Sequence, residues 1–451
     1  MHLIIAEKHD AAKRIAQILA GSKPSSKRVA GVDTYCFDDK VIMGLSGHIV
    51  GVDYPQGYNN WQKVDCKDLI RAEIVVRPIQ DKIISALQSL GKKADRITIA
   101  TDYDREGELI GVEALKIAQE ANPSLHADRV RYSAIVKDEI LKAFKDKGDV
   151  DYSLAASGEA RQIIDLVWGA ALTRYISLTS GRLGKEFLSV GRVQSPTLAL
   201  IVDREREIQS FVPKAYWEIY ADLEKELAVQ HAKGRIWEKA EVDGIISRLG
   251  PVGVIKSIET KPRVDKPPTP FDTTSFIAAA SGIGFSAANA MRLAEWLYVN
   301  GFISYPRTDN TVYPPSVDLT ALTRLFLNSA FSSEADKLLK GKMQPTRGKR
   351  STTDHPPIYP TAPAEKSELK EDQWRIYELV VRRFFATLAE PCVWDATSLK
   401  VDIGPEPFRA NGTRLVEPGW RYYYPYSKAE EHILPKLEKG EILRVLGHSV
   451  E

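Results

Sequence analysis

Residues 101–111 read TDYDREGELIG, in which Asp102, Asp104, Glu106 and Glu108 alternate and Glu113 follows just beyond. The run RITIATD leading into it has the short apolar core of a buried strand, and GELIGVEALKIAQEA leading out carries apolar residues at helical spacing. The acids therefore stand where a strand hands over to a helix. The amino terminus repeats the pattern, with HLIIAE reading as a buried strand and HDAAKRIAQILA as an amphipathic helix. Such alternation implies a mostly parallel sheet, whose functional crevice lies outside the carboxyl ends of its strands. Glu7 and the cluster from Asp102 to Glu106 both fall at such ends, so two distant segments are expected to converge on one rim.

Beyond this α/β unit the pattern changes. From Tyr152 to about Ile208 it is helical, as in SGEARQIIDLVWGAALTRYI and SPTLALIVDREREI. From about Pro213 to Val264 it alternates as strands do, until KPRVDKPPTPF interrupts the chain with four prolines. A second helical stretch, TTSFIAAASGIGFSAANAMRLAEWLYVNGF, leads into SYPRTDN, and the polar TRGKRSTTDHPPIYPT closes that region. The helix DQWRIYELVVRRFFATLAE precedes strand-like WDATSLKVDIG and GEILRVLGH.

At 451 residues the chain exceeds what one hydrophobic core usually organises, so several domains are expected. Its 62 basic and 60 acidic residues leave a formal charge of +2, so a polyanion-binding surface must be local. Cys36, Cys66 and Cys392 are scattered and never in Cys-x-x-Cys spacing, which argues against a disulfide framework and an in-chain zinc ribbon. The apolar run in MHLIIAEKHD is too short for a signal-peptide core, and no uncharged run reaches the length of a membrane span. A soluble protein of a reducing, cytoplasmic compartment is expected.

Carboxylates two residues apart at a strand end raise one another's pKa, and a hard divalent cation relieves that conflict. Asp102, Asp104 and Glu106 thus make a candidate Mg2+ site, although the same spacing suits a solvated loop capping a helix. Glu108 and Glu113 read as helix-start and surface charges. Tyr305 stands two residues before Arg307 in GFISYPRTDN. A tyrosine hydroxyl can attack a phosphodiester if nearby groups assist it, and arginine offers a fixed fork for phosphate oxygens. A strand tyrosine beside a solvent-facing arginine is the plain alternative. Arg161 and Asp165, at i and i+4, can pair on a helix. Gln194 and Ser195 are polar donors or simply a helix start ahead of Pro196.

Taken together, IIAEK and ATDYDREGELIG resemble the Toprim domain of topoisomerases, bacterial-type primases and some nucleases, with a glutamate on the first strand and a DxDxE set later. SGEARQIIDLVWGAALTRYISL, GRVQSPTLALIVDREREI, GFISYPRTDN and TTDHPPIYPT follow in the order seen in type IA DNA topoisomerases, and their wording is similar to the archaeal and topoisomerase III forms. The resemblance implies a multidomain α/β and α+β fold. Its parts would be a Toprim domain at 1–150, a first helical gate segment at 151–212, a first part of a β arch at 213–265, a mostly helical tyrosine-bearing domain at 266–362, and the rest of the arch at 363–451, returning at GWRYYYPY.

It also implies an ATP-independent enzyme that cuts one DNA strand through a 5′-phosphotyrosine, passes a strand and reseals, relaxing negatively supercoiled DNA. Within it Tyr305 matches the nucleophile and Arg307 its phosphate-stabilising partner. Lys8 matches the group that protonates the leaving oxygen, and Glu7 the acid beside the scissile bond. Asp102, Asp104 and Glu106 match the Mg2+-associated acids. Arg161, Asp165, Arg192, Gln194, Ser195 and His355 match contacts to single-stranded DNA. Relatives carry later PPxRYTE-like and GTxSTRA-like stretches, and neither occurs here, so the expectation is a truncated or split enzyme whose gate domain a missing segment or separate chain completes. A Toprim primase or nuclease, or a non-catalytic DNA-binding scaffold, are the alternatives.

Overall fold

Strand β1 (His2–Ala6) is buried along its whole length, as an uninterrupted HLIIA run must be when helices cover both faces of a sheet. The structure, a computed structural model, describes residues 1–352 and 355–451. Thr353 and Asp354 of the TTDHPPIYPT stretch lie outside the described residues. Seven further strands complete the amino-terminal region: β2 (Ser25–Val29), β3 (Val32–Phe37), β4 (Lys40–Gly44), β5 (Val50–Asp53), β6 (Val75–Pro78), β7 (Arg96–Ala100) and β8 (Ala127–Arg129). Six form one sheet in the order β2-β3-β4-β1-β7-β8, parallel from β4 through β8, while β5 and β6 make a separate ribbon.

Register makes the rim. Ala6 of β1 lies opposite Ala100 of β7, so Glu7 and Thr101-Asp102 leave the sheet side by side. After β7 the Arg105–Ala121 helix begins with Asp104 as its cap, the carboxylate accepting the Gly107 N–H at 2.8 Å. Gly107 is required there, because a Cβ would lie 2.1 Å from the Asp102 carbonyl oxygen. Gly111, one turn on, lets the helix pack against Ile99, whose Cγ2 would lie 2.4 Å from an added Cβ. The glycines in TDYDREGELIG thus fix how closely the acids approach the strand.

The Tyr152–Thr179 helix packs on the Arg105–Ala121 helix. The Gln194–Ser210 helix after it buries none of its residues. Strands β9 (Ile219–Leu223), β10 (Leu227–His231), β11 (Val252–Asp265), β12 (Cys392–Ile403), β13 (Glu406–Glu417) and β14 (Ile442–Val450) close a barrel in the order β10-β13-β12-β11-β14-β9. Helices between β11 and β12 form the tyrosine-bearing region, entered and left through the paired ends Asp265 and Cys392.

Two expected boundaries move. The Glu371–Leu388 helix packs by Trp374, Tyr377, Val380, Phe384 and Phe385 into the core of the tyrosine-bearing region, so the arch resumes at Cys392 and not at 363. GWRYYYPY is not an arch strand: Gly419–Tyr422 is a short 3-10 turn, and Trp420, Tyr423 and Tyr424 bury into that same core. Its aromatic density answers to packing in that core and not to strand alternation. That core also joins the face of the His9–Ala20 helix bearing Ala12, Ile15 and Ala16 to Leu297, Ile303 and Tyr305, so the two regions meet over a continuous apolar seam. Among the described residues no helix is long and apolar enough to cross a membrane.

Candidate active site

Tyr305 reaches the rim from the opposite side of that seam. Its backbone N–H donates to the Ser133 carbonyl at 2.8 Å, and its hydroxyl donates to Asp104 Oδ2 at 2.7 Å. Tyr298, one helix earlier, donates to Asp102 Oδ1 at 2.8 Å. The His355 ring lies 4.4 Å from the Tyr305 ring, centroid to centroid, and its Nδ1 is 3.3 Å from Ser133 Oγ. Burial, then Asp102 and Asp104, push the Tyr305 hydroxyl far above its ordinary pKa, so the tyrosine is neutral in this closed arrangement.

Lys8 and Arg307 come from the two sides of the seam and meet on one carboxylate. Glu295 Oε2 lies 3.4 Å from Lys8 Nζ, and its other oxygen accepts Arg307. Burial alone would raise the Glu295 pKa, but Arg307 and Lys8 outweigh it and hold the group ionised below its ordinary value.

The acids divide. Glu7 Oε2 lies 3.1 Å from the space above Gly107, near the Asp102 carbonyl. Burial first, and Asp102 second, raise the Glu7 pKa to about 8, while burial raises that of Asp102 to about 6 against the pull of Tyr298 and Lys8. Asp104 adds to both shifts. Glu106 points elsewhere, to Arg161 Nη1 at 3.0 Å and His48 Nε2 at 3.1 Å. The expected trio of Asp102, Asp104 and Glu106 is therefore not assembled, because an acid at the second position of a helix turns away from the one that caps it. Among the described residues no three His, Cys, Asp or Glu side chains make a ready metal site. Asp102 and Asp104 lie close enough to Glu7 to raise its pKa, and carboxylate oxygens of this kind are what a hard cation such as Mg2+ takes.

Glu106 instead starts a ladder. Arg161 lies between Glu106 and Asp165, the latter at 4.0 Å, and Asp165 accepts Arg192 of the GRVQSP turn. Gln194 and Ser195 open the Gln194–Ser210 helix, where Gln194 Oε1 accepts the Ser189 hydroxyl at 3.3 Å and Ser195 Oγ lies 3.4 Å from the Gly191 N–H. The ladder of contacts runs from Glu106 through Arg161 and Asp165 to Arg192, and the described contacts do not bring Gln194 or Ser195 to Tyr305.

Glu108 and Glu113 are not surface charges. Glu108 is fully buried and pairs with buried Arg129 at 2.7 Å, while Glu113 lies 3.2 Å from His48 Nδ1. Glu113 is the main cause of a raised His48 pKa, opposed by burial. Glu295, Tyr298, Ser133 and His48 escaped the sequence reading. The first two were visible in principle, since Glu295 and Tyr298 are three residues apart in an apolar helix and so share a face.

Models of two families match the chain: the Toprim domain over residues 2–135 and "DNA topoisomerase" over residues 149–451. The chain belongs to the type IA DNA topoisomerases. It is 50% identical to DNA topoisomerase 1 of Archaeoglobus fulgidus, over 100% of this chain and 67% of that protein. It is 42% identical to that of Thermoplasma acidophilum, over 100% of this chain and 59% of that protein. Full-length topoisomerase I from Thermotoga maritima superposes with a TM-score of 0.75 at 26% identity, covering 100% of this chain and 71% of that one. The chain thus spans about 59–67% of the length of these two archaeal topoisomerases. Toprim is in general a Mg2+-binding fold.

The buried acids of this topoisomerase should leave a signature in its stability. An unfolded glutamate releases its proton near pH 4.5, whereas folded Glu7 keeps it to about pH 8. Folding takes up a proton between those values, so this group lowers stability progressively as pH rises through the window. With a chelator present, Glu7→Gln is expected to raise stability by about 1–3 kcal/mol at pH 8 and to change it little at pH 4.5. Urea midpoints at both pH values check this, and equal shifts at the two would show that the Glu7 charge is not responsible.

Proposed function

We propose that this chain carries the strand-cleaving centre of an ATP-independent topoisomerase that acts on single-stranded regions of negatively supercoiled DNA. The observation that carries this reading is the 2.7 Å hydrogen bond by which Tyr305 of one region meets Asp104 of another. In the reaction the Tyr305 oxygen attacks a backbone phosphorus in line, the P–O3′ bond breaks, and a 5′-phosphotyrosine forms. Asp104 accepts the phenolic proton and Lys8 gives one to the departing O3′. Arg307 stabilises the charge on the non-bridging oxygens, and His355 packs the tyrosine ring in place. The P–O linkage is exchanged rather than hydrolysed, so attack by the 3′-hydroxyl restores the strand without ATP. Glu7, Asp102 and Asp104 would hold Mg2+, which supplies charge neutralisation for the phosphate when bound. Arg161, Asp165, Arg192, Gln194 and Ser195 line the path of the strand leading to the rim.

The Gln194–Ser210 helix exposes Leu198, Leu200, Ile201 and Ile208. Apolar side chains exposed to that extent seek a cover, and the greater length of the relatives supports further gate-domain polypeptide as that cover, within the same protein or as a separate chain. To test the chemistry, a single-stranded oligonucleotide labelled at its 3′ end is incubated with the chain and Mg2+ and denatured. The 3′ label is expected on the protein. Label transfer only from the 5′ end, or none at any Mg2+ concentration, would reject the reading.

A further inference from the structure

Lys8 and Arg307 are the two cations that the reaction above assigns to the scissile phosphate, and both are engaged by Glu295. The three side chains remain partly open to solvent, at 42% for Lys8, 60% for Arg307 and 28% for Glu295. Glu295 is held in place by its helix, Ala287–Val299, which Tyr298 pins to the rim through Asp102. A carboxylate and a phosphodiester offer the same cations similar oxygens. Ion pairs exposed to this degree are individually weak, so a polyanion can displace the carboxylate.

We propose that Glu295 is a positioning residue that stands in for the DNA phosphate, holding Lys8 and Arg307 together across the seam until a phosphodiester replaces it. The inference rests on the strand-cleaving reading. It makes Glu295 a brake on binding: the entering strand must break both ion pairs and then lies beside a like charge. The brake also favours release of the resealed strand.

The test measures equilibrium binding of a single-stranded oligonucleotide by fluorescence anisotropy in a Tyr305→Phe background, where no cleavage intervenes. Glu295→Gln keeps the shape and removes the charge, and is expected to bind about 5- to 30-fold more tightly. In the cleaving chain the same change should lower KM, with kcat equal or reduced. Glu295→Asp keeps the charge but draws it back by one methylene. It is expected to fall between the two, and it carries the test if Glu295→Gln does not fold. A merely structural glutamate would give unchanged or weaker binding in these variants, and that result overturns the proposal. Absence of an adduct from the parental chain would reject the cleavage reading instead, while the binding measurements still report on Glu295.

Discussion

Tyr305→Phe is expected to reduce covalent adduct to background, a loss on the order of 10^4-fold or more, while the chain stays folded. The loss follows from the proposed chemistry, in which the Tyr305 hydroxyl oxygen bonds to phosphorus and no neighbouring hydroxyl takes its place. Ser133 and Thr308 have hydroxyls, but they bond locally, to His355 and to the His355 carbonyl. The fold is spared because the ring keeps its packing. Tyr305 is 5% exposed and touches the rings of Tyr298 and His355 by its carbon face, contacts that phenylalanine reproduces. Only the bond to Asp104 is lost, and Asp104 still caps its helix through Gly107. The stability change should be about 1 kcal/mol. Denaturing gels of the labelled reaction and a thermal melt check the two halves. Adduct persisting in Tyr305→Phe would move the nucleophile to another residue.

The readings that held from sequence were those where one physical cause dominates. HLIIA and RITIA are buried on both sides, and the apolar run alone marks each strand and places Glu7 and Asp102 at the rim. What failed had two causes in competition. Glu108 at a helix start looks like a dipole partner, yet the Arg105–Ala121 helix is buried almost around its circumference, and its charge is met by Arg129 from a strand 21 residues on. No local pattern carries that pairing. Glu106 pairs with Arg161 on a later helix, a partner that its spacing from Asp104 does not reveal. GWRYYYPY has the aromatic content of a strand but folds as a turn whose rings pack into the core of the tyrosine-bearing region. Glu295 was missed because a lone acid in an apolar helix reads as solvent-facing until the opposite side of the seam is known.

Glu108→Ala should cost about 3–5 kcal/mol, the price of leaving a buried arginine without its countercharge. Both side chains are fully buried. Glu108 receives Arg129 Nε on one oxygen and the Asp151 N–H, at 2.8 Å, on the other. Arg129 in turn donates to the carbonyls of Thr101 at 2.8 Å and Asp102 at 2.9 Å, so the pair holds the loop that presents Asp102 and Asp104. Glu106→Ala, two residues earlier, breaks only partly exposed contacts to Arg161 and His48 and should cost about 1 kcal/mol or less. Urea denaturation followed through the Toprim domain separates the two, and equal midpoints would refute the buried-pair argument. The double variant Glu108→Leu with Arg129→Met decides what the pair is for. Replacing a buried ion pair by apolar side chains of similar size is often neutral or stabilising, so much of the lost stability should return. Adduct formation should not return with it, because methionine cannot hold the Thr101 and Asp102 carbonyls. A double variant that regained both would show that packing alone sets the acidic loop, whereas stability without activity assigns Arg129 to the positioning of Asp102.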